Sequence, residues 1–391
     1  MKVFIAASWL KLGGGVTRTL LELLKRIDYS EHDVTLMVMS LDRELLSFVP
    51  EQVKVIETED SFQTESMQSY IKRQLKGKKL FTAASCTVNL LDYRISGDNY
   101  RHQAWITSHM EKQDGEYDVA IAYAMMNSIV NKYIIDNVRA KKKILWCHTD
   151  MSIYKEKYLK GLCRLYSEYD QINCVSQTSL KSVKNRFPEL SSKLKVAYNF
   201  IDIDRIKLMS EAPVDVDVPE SKIKLCTISR ISKEKGTDIL VDAAKVIKSR
   251  GLDFIWWVIG PEFDKEYCNS VKAMISEYGL EDRVLLLGEK NPPYPYVKNC
   301  DIYVQPSRFE GYCTTTNEAK ILCKPIITTL VSGAEEQFTD GVNGTVTEIS
   351  ADAIADAITE LAQNEQKREM YIKNLQTGAI AQETSFESMI L

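Results

Sequence analysis

The residues able to do chemistry gather in two stretches of the second half of this 391-residue sequence and two of the first. Arg230 and Lys235 stand in Ser229-Arg230-Ile231-Ser232-Lys233-Glu234-Lys235-Gly236, where an apolar run ends and an amphipathic one begins. Two cations so spaced can straddle a diphosphate, arginine as a fork and lysine as a point charge; two solvated loop cations fit the same spacing. Further on, Glu310-Gly311-Tyr312-Cys313-Thr314-Thr315-Thr316-Asn317-Glu318 sets two carboxylates around a glycine and three threonines. Such a helix start offers N–H and hydroxyl donors to phosphate, while carboxylates accept hydrogen bonds from sugar hydroxyls. Taken singly, Glu310 reads better as a capping acid and Glu318 as an exposed helix residue. In the first half, Gly13-Gly14-Gly15 precedes an amphipathic run, with Arg18 one turn in. Glycines before a helix allow close backbone approach to an anion. The triplet is not G-x-G-x-x-G, so a dinucleotide site lacks its fingerprint and a plain tight turn is the alternative. His148 follows the apolar run Ile144-Leu145-Trp146-Cys147; a lone histidine is more often structural than catalytic, whereas His32, His102 and His109 have no comparable setting.

These stretches need elements to hold them. In the first half, residues 2–7, 34–39, 53–56, 117–122, 143–146 and 172–176 read as buried strands. Residues 60–115 read as helical and irregular. In the second, strands are expected over 223–229, 254–259, 284–288, 302–305, 326–329 and 345–348, with helices over 236–249, 271–278, 316–323 and 353–361. Short apolar runs alternating with helices imply parallel, doubly wound sheets that bind ligands at the carboxyl ends of their strands. Residues 211–219, acidic and flanked by prolines, read as a link without helical period.

Composition sets the bounds. Hydrophobic residues make 45% and charged residues 27%, which excludes collagen, wholesale disorder and a disulfide miniprotein. The longest uncharged stretch, residues 119–131, is too short to span a bilayer. The opening residues MKVFIAASWLKLGGG read as strand and loop rather than a leader. Nine scattered cysteines without a C-x-x-C pair suit buried thiols in a reducing cytosol. Residues 1–200 hold 29 Lys+Arg against 23 Asp+Glu, and residues 201–391 hold 21 against 31. A basic front half suits an anionic partner, with the densest runs over 71–80 and 139–143; a solvated helix face and a charged lead-in to a strand are the plainer alternative. No nucleic-acid partner is expected.

The order and spacing of Asn199-Phe200-Ile201-Asp202, Arg230 with Lys235-Gly236, and Glu310 to Glu318 with Ala319 resemble retaining glycosyltransferases of family four. Pro306-Ser307, Gly333 and Glu335-Glu336 are also similar to the family. The resemblance implies an α/β GT-B fold of two facing Rossmann-like domains with parallel sheets and an interdomain cleft. It implies an acceptor-binding domain over 1–198, a linker over 199–222, a nucleotide-sugar domain over 223–370 and a C-terminal helical segment over 371–391 crossing back to the first domain. It also implies transfer of a sugar from a nucleotide diphosphate sugar, UDP-sugar by default, to an acceptor hydroxyl with retention. The acceptor is expected to be a glycan or lipid-linked glycan of surface polysaccharide or glycoconjugate synthesis, handled in the cytoplasm and possible at the inner face of the membrane. Arg230 and Lys235 would hold the diphosphate, Glu310 the transferred sugar and Glu318 the ribose. Gly311, Tyr312, Cys313, Thr314 and Thr315 would surround phosphate and sugar, Gly14 and Gly15 would close on the donor, and His148 would face the reacting sugar. No cofactor and no metal are implied; the D-x-D pairs Asp202-Ile203-Asp204 and Asp215-Val216-Asp217 sit by the linker rather than at a strand end. Gly311-Tyr312-Cys313 departs from the family's Gly-Phe-Gly, and Pro292-Pro293-Tyr294-Pro295-Tyr296 is expected to replace a helical turn. A nucleotide-sugar epimerase of the same fold, or an inactive scaffold, are the competing readings.

Overall fold

The computed structural model describes residues 1–10, 15–58, 67–216, 222–378 and 385–391. They form two compact units, Met1–Phe200 with Thr384–Leu391, and Ile201–Glu383.

In the first unit, strands β1 (Lys2–Ala7), β2 (Asp33–Val38), β3 (Lys54–Glu57), β4 (Tyr117–Tyr123), β5 (Ala140–Cys147), β6 (Gln171–Cys174) and β7 (Leu194–Val196) make one sheet. Its order is β3-β2-β1-β4-β5-β6-β7, with every pair parallel. Val3 to Ala7 of β1 are all buried, because helices cover both faces of a parallel sheet. Phe4, Ala120, Leu145 and Ile172 meet Tyr133, Tyr166 and Tyr169 in the core. The strand order reverses between β1 and β4, the switch point of a doubly wound sheet, and just past their ends Ser8 Oγ and Ser128 Oγ lie 2.6 Å apart.

Helices Met67–Lys76, Leu80–Ser96 and Asn99–Thr107 fill the stretch between β3 and β4. The second buries Ala83, Cys86 and Asn89 and stops at Gly97, whose φ of 64° is the left-handed conformation of a helix C-cap. Its other face is bare: Phe81 is 89% exposed, Val88 66%, Leu91 50% and Ile95 86%. Their spacing puts them on one stripe of the helix. Of the cations at 141–143, Lys142 Nζ holds the carbonyls of Ile390 and Leu391, and Lys143 Nζ holds that of Ile135. Both are tied into the fold as β5 begins, as a strand lead-in requires, whereas Arg139 and Lys141 are exposed.

The second unit carries β8 (Ile223–Ile228), β9 (Phe254–Ile259), β10 (Val284–Gly288), β11 (Ile302–Gln305), β12 (Ile326–Thr329) and β13 (Thr345–Thr347), in the parallel order β10-β9-β8-β11-β12-β13. The helix Thr237–Ser249 turns Ile239, Leu240, Ala243, Ala244 and Ile247 onto this sheet, as its periodicity predicts. The switch point lies between β8 and β11.

Three segments differ from the sequence reading. Within 199–222, residues Ile203–Met209 are helical, because the Asp202 carboxylate accepts from the Arg205 N–H and caps the helix. Residues 371–377 complete the helix Glu365–Thr377 of the second unit, held there by buried Tyr371 and Leu375, and the helix Phe386–Ile390 belongs to the first unit. In that last helix Phe386 lies edge-on to His32, and Gln171 and Asn173 donate to the Met389 carbonyl at 2.7 and 3.0 Å. Finally, Tyr294–Asn299 is helical despite its prolines, which sit where a first turn tolerates a missing N–H.

Candidate active site

Arg230 and Lys235 follow the end of β8, and Glu310 follows the end of neighbouring β11. The two loops are pressed together at the switch point, and Gly236 makes this possible. Its φ is 70°, and a Cβ there would lie 2.0 Å from the Pro306 carbonyl oxygen, so only glycine fits. Arg308 ties the same loops from the other side. Its guanidinium donates to both Asp238 oxygens at 2.6 and 2.8 Å and to the Lys233 carbonyl at 2.9 Å, and its N–H reaches the Glu234 carbonyl at 2.8 Å. Burial works against the Asp238 carboxylate, but the bonds from Arg308 and Tyr267 outweigh it and hold its pKa below the usual value.

Between these loops Lys235 Nζ grips both Glu310 oxygens, at 2.8 and 2.7 Å. The Glu310 side chain is 7% exposed and that of Lys235 21%. Burial alone would pull the lysine down; the Glu310 charge prevails and its pKa is raised. A second donor, Ser307 Oγ, reaches Glu310 Oε1 at 2.6 Å. Ser307 is itself buried and receives Gln305 Nε2 at 2.9 Å, while Gln305 Oε1 accepts from Tyr303 OH at 2.8 Å and Thr315 Oγ1 at 3.1 Å. The Glu310 carboxylate therefore ends a buried chain that starts inside β11. Sequence reasoning missed Gln305, Arg308 and Asp238 altogether and noted Ser307 only as part of a motif. Pro306-Ser307 at a strand end was the available signal. Arg230 lies nearby on the same loop, its guanidinium 4.4 Å from the Phe263 ring centre and 3.6 Å from Glu234.

The helix Thr314–Ile321 starts at Cys313, which has no side-chain cap bond. Burial, then the Glu310 charge, pushes the Cys313 thiol up to about 11, so it is an uncharged packing group. Gln337 Nε2 donates to the Cys313 carbonyl at 3.0 Å and its Oε1 accepts Thr316 Oγ1 at 2.5 Å, which fixes this helix start. Gly311 and Tyr312 turn toward Gly333, where a Cβ would come 3.0 Å from the Tyr312 ring. Glu318 is 3% exposed, which corrects its reading as an exposed helix residue: Tyr294 OH donates to Oε1 at 3.2 Å.

The first-unit candidates stand as follows. His148 follows β5, edge-on to Tyr123 at 4.5 Å, and its Nε2 has no hydrogen-bond partner among the described residues. Burial lowers its pKa to about 3, so the imidazole is neutral at physiological pH. Gly15 begins the helix Gly15–Lys25 with open space where a Cβ would stand. Gly14 lies outside the described residues. Of the D-x-D pairs, Asp202 caps a helix and Asp215 is bound by Lys290 at 2.6 Å and by Tyr296 OH; Asp217 lies outside the described residues.

Two doubly wound parallel sheets are the building units of the GT-B fold. The structure of Anabaena Alr3699/HepE in complex with UDP-glucose superposes with a TM-score of 0.67 at 18% identity, covering 96% of this chain and 93% of that one. Residues 210–377 match the model of the family of glycosyl transferases group 1. Among similar proteins, the N-acetylgalactosamine-N,N'-diacetylbacillosaminyl-diphospho-undecaprenol 4-alpha-N-acetylgalactosaminyltransferase of Campylobacter jejuni is 26% identical over 250 residues, 63% of this chain and 65% of that one. The chain thus spans just under two thirds of that relative's length. The glycosyltransferase MJ1178 of Methanocaldococcus jannaschii is 24% identical over 96% of this chain and 92% of its own.

Proposed function

We propose that the protein transfers a sugar from a nucleotide diphosphate sugar, UDP-sugar by default, to a hydroxyl of a glycan or lipid-linked glycan, with retention and without a metal. The observation that carries this reading is the Lys235–Glu310 pair at the switch point. An ammonium has three donors; two go to Glu310, which leaves one for a phosphate oxygen beside the Arg230 fork. As the bond from the sugar's anomeric carbon to phosphate oxygen breaks, negative charge grows on the phosphate, where Arg230, Lys235 and the start of the helix Thr314–Ile321 stabilise it. Positive charge grows on the sugar, which Glu310 meets. The acceptor oxygen bonds to the anomeric carbon on the face the phosphate leaves, and its proton passes to the departing phosphate. Glu318 takes the ribose hydroxyls. His148, neutral and therefore a weak base, serves as a hydrogen-bonding group toward a sugar hydroxyl. Similarity to a relative named as an N-acetylgalactosaminyltransferase of a diphospho-undecaprenol-linked sugar supports a glycan acceptor.

The place of action in this reading is the cytoplasm, at the inner face of the cell membrane. No helix among the described residues is long and apolar enough to cross a membrane. Contact from one side is supported by the bare stripe of Phe81, Val88, Leu91 and Ile95 beside Lys72, Arg73, Lys76, Lys78 and Lys79, apolar groups with cations that suit anionic lipid. The deciding experiment incubates the protein with a panel of sugar nucleotides and lipid-linked glycans. Release of nucleoside diphosphate that depends on acceptor supports the reading; no release from any donor overturns it.

A further inference from the structure

The first unit contains a cavity of about 300 Å³ that the chemistry above does not use. It lies between the helices Leu80–Ser96 and Asn99–Thr107 and the start of the helix Ile129–Asn137, and includes Asn127 just beyond the carboxyl end of β4. That is the edge at which doubly wound sheets take ligands, beside the reversal between β1 and β4. The volume matches the small end of ligand pockets.

Its lining is uncharged and rich in hydrogen-bonding groups. Gln103, 3% exposed, donates through Nε2 to the Asn127 carbonyl at 2.8 Å, which fixes the orientation of its amide. The other amide atom, Gln103 Oε1, is buried with no partner among the described residues. A buried acceptor left in this way calls for a donor from outside the fold. His102 adds a second acceptor. Its Nδ1 is 2.7 Å from Asn89 Oδ1, which can only accept, so the proton sits on Nδ1 and the lone pair on Nε2. Burial lowers the pKa of this histidine, which keeps it neutral. Asn99 Nδ2 and Asn127 Oδ1, 3.3 Å apart, add a donor and an acceptor held only loosely to each other. Tyr93 stacks on His102 with ring centres 4.3 Å apart and planes at 16°, and is 37% exposed. An aromatic platform beside carboxamides and two waiting acceptors is complementary to a pyranose, which offers C–H faces to a ring and hydroxyl protons to acceptors. No lining residue among the described residues is charged, which disfavours phosphate and nucleotide.

We propose that this cavity is a subsite for one neutral pyranose residue of the acceptor glycan. The proposal rests on the transferase reading and names, within the first unit, the group that selects its acceptor. Saturation-transfer NMR on the full chain tests it, with the methyl glycosides of glucose, galactose, N-acetylglucosamine and N-acetylgalactosamine as probes. At least one glycoside is expected to bind, and Gln103→Leu and Tyr93→Ala are each expected to weaken it tenfold or more. Tyr93 is partly exposed, so its variant keeps the test intact if the buried substitution unfolds the protein. In turnover assays both variants should raise the KM for acceptor while donor affinity is unchanged. No glycoside binding to the wild type, tighter binding of a sugar phosphate than of the neutral glycoside, or variants with unaltered binding and KM would each overturn the subsite. Failure of the transferase reading looks different: the wild type then releases no nucleoside diphosphate from any donor, whatever NMR reports for the glycosides.

Discussion

Replacing Glu310 by glutamine is the sharpest probe of the switch-point pair. The substitution keeps the shape but sets an NH₂ group where one oxygen now accepts from Lys235, at 2.7–2.8 Å. Removing one partner of a fully buried pair costs about 3–5 kcal/mol. The Lys235 side chain is 21% exposed, so water recovers part of this and a loss of about 1–3 kcal/mol in stability is expected. Binding and chemistry should separate. Relieved of Glu310, Lys235 directs its charge at the diphosphate, so donor affinity should stay within about threefold or tighten. Turnover should fall about 100- to 1,000-fold, the usual effect of losing one preorganised electrostatic contact in the transition state. The pH response supplies a further check. Burial opposes the ammonium and the Glu310 charge raises its pKa; in the variant the Glu310 charge is gone while burial and the Arg230 charge still lower it, so the alkaline loss of donor binding should begin at lower pH. Calorimetry of the donor beside single-turnover kinetics reads all of this. A variant with full turnover and collapsed donor affinity would refute the role given to Glu310.

Gly236→Ala should destabilise the second unit by about 2–6 kcal/mol in denaturant titrations, because it combines left-handed backbone with a Cβ 2.0 Å from the Pro306 oxygen; unchanged stability would mean that the two loops are not in contact. Asp238 has a folded pKa below the usual aspartate value, so its contribution to stability is present above that usual value and lost as pH falls through the folded one. Asp238→Asn should accordingly be less stable at neutral pH and flatter in its acid limb; identical pH profiles would remove the Arg308 clasp. Turnover should survive EDTA, since Arg230 and Lys235 supply the charge for the diphosphate, and complete loss restored by magnesium or manganese would contradict that. Vesicles containing anionic lipid should recover the protein better than neutral ones, by a margin that falls with salt, and Phe81→Asp with Ile95→Asp should abolish the difference; equal recovery by the wild type on both would remove the membrane contact.

The sheets were legible because parallel strands buried on both faces appear as plain apolar runs, and β1, β9 and β11 fall where such runs lie. Strand β7, of three residues, is too short to leave a pattern. The helix Ile203–Met209 was hidden by reading the segment as a link, although Asp202 announces it as an N-cap. At the site, Arg230, Lys235, Glu310 and Glu318 were recognisable as a spaced motif. Their supports were not: Gln305 to Ser307 to Glu310, and Arg308 to Asp238, join positions whose meaning appears only once β8 and β11 are neighbours. The cavity at Tyr93 and His102 was illegible for the same reason, since it draws on three helices that no local pattern brings together.

The last helix bears on how the molecule is made. Residues 171 and 173 hand their amides to the Met389 carbonyl, so the first unit includes residues translated after all 183 residues of Ile201–Glu383. On a ribosome, the amino-terminal sheet emerges early yet lacks its closing piece until the whole of the second unit has been made. The second unit, by contrast, is one continuous stretch and can settle as soon as it leaves the exit tunnel. Order of completion is therefore the reverse of order of synthesis, and a nascent chain arrested before residue 386 leaves Gln171, Asn173 and His32 without the helix they face in the finished fold.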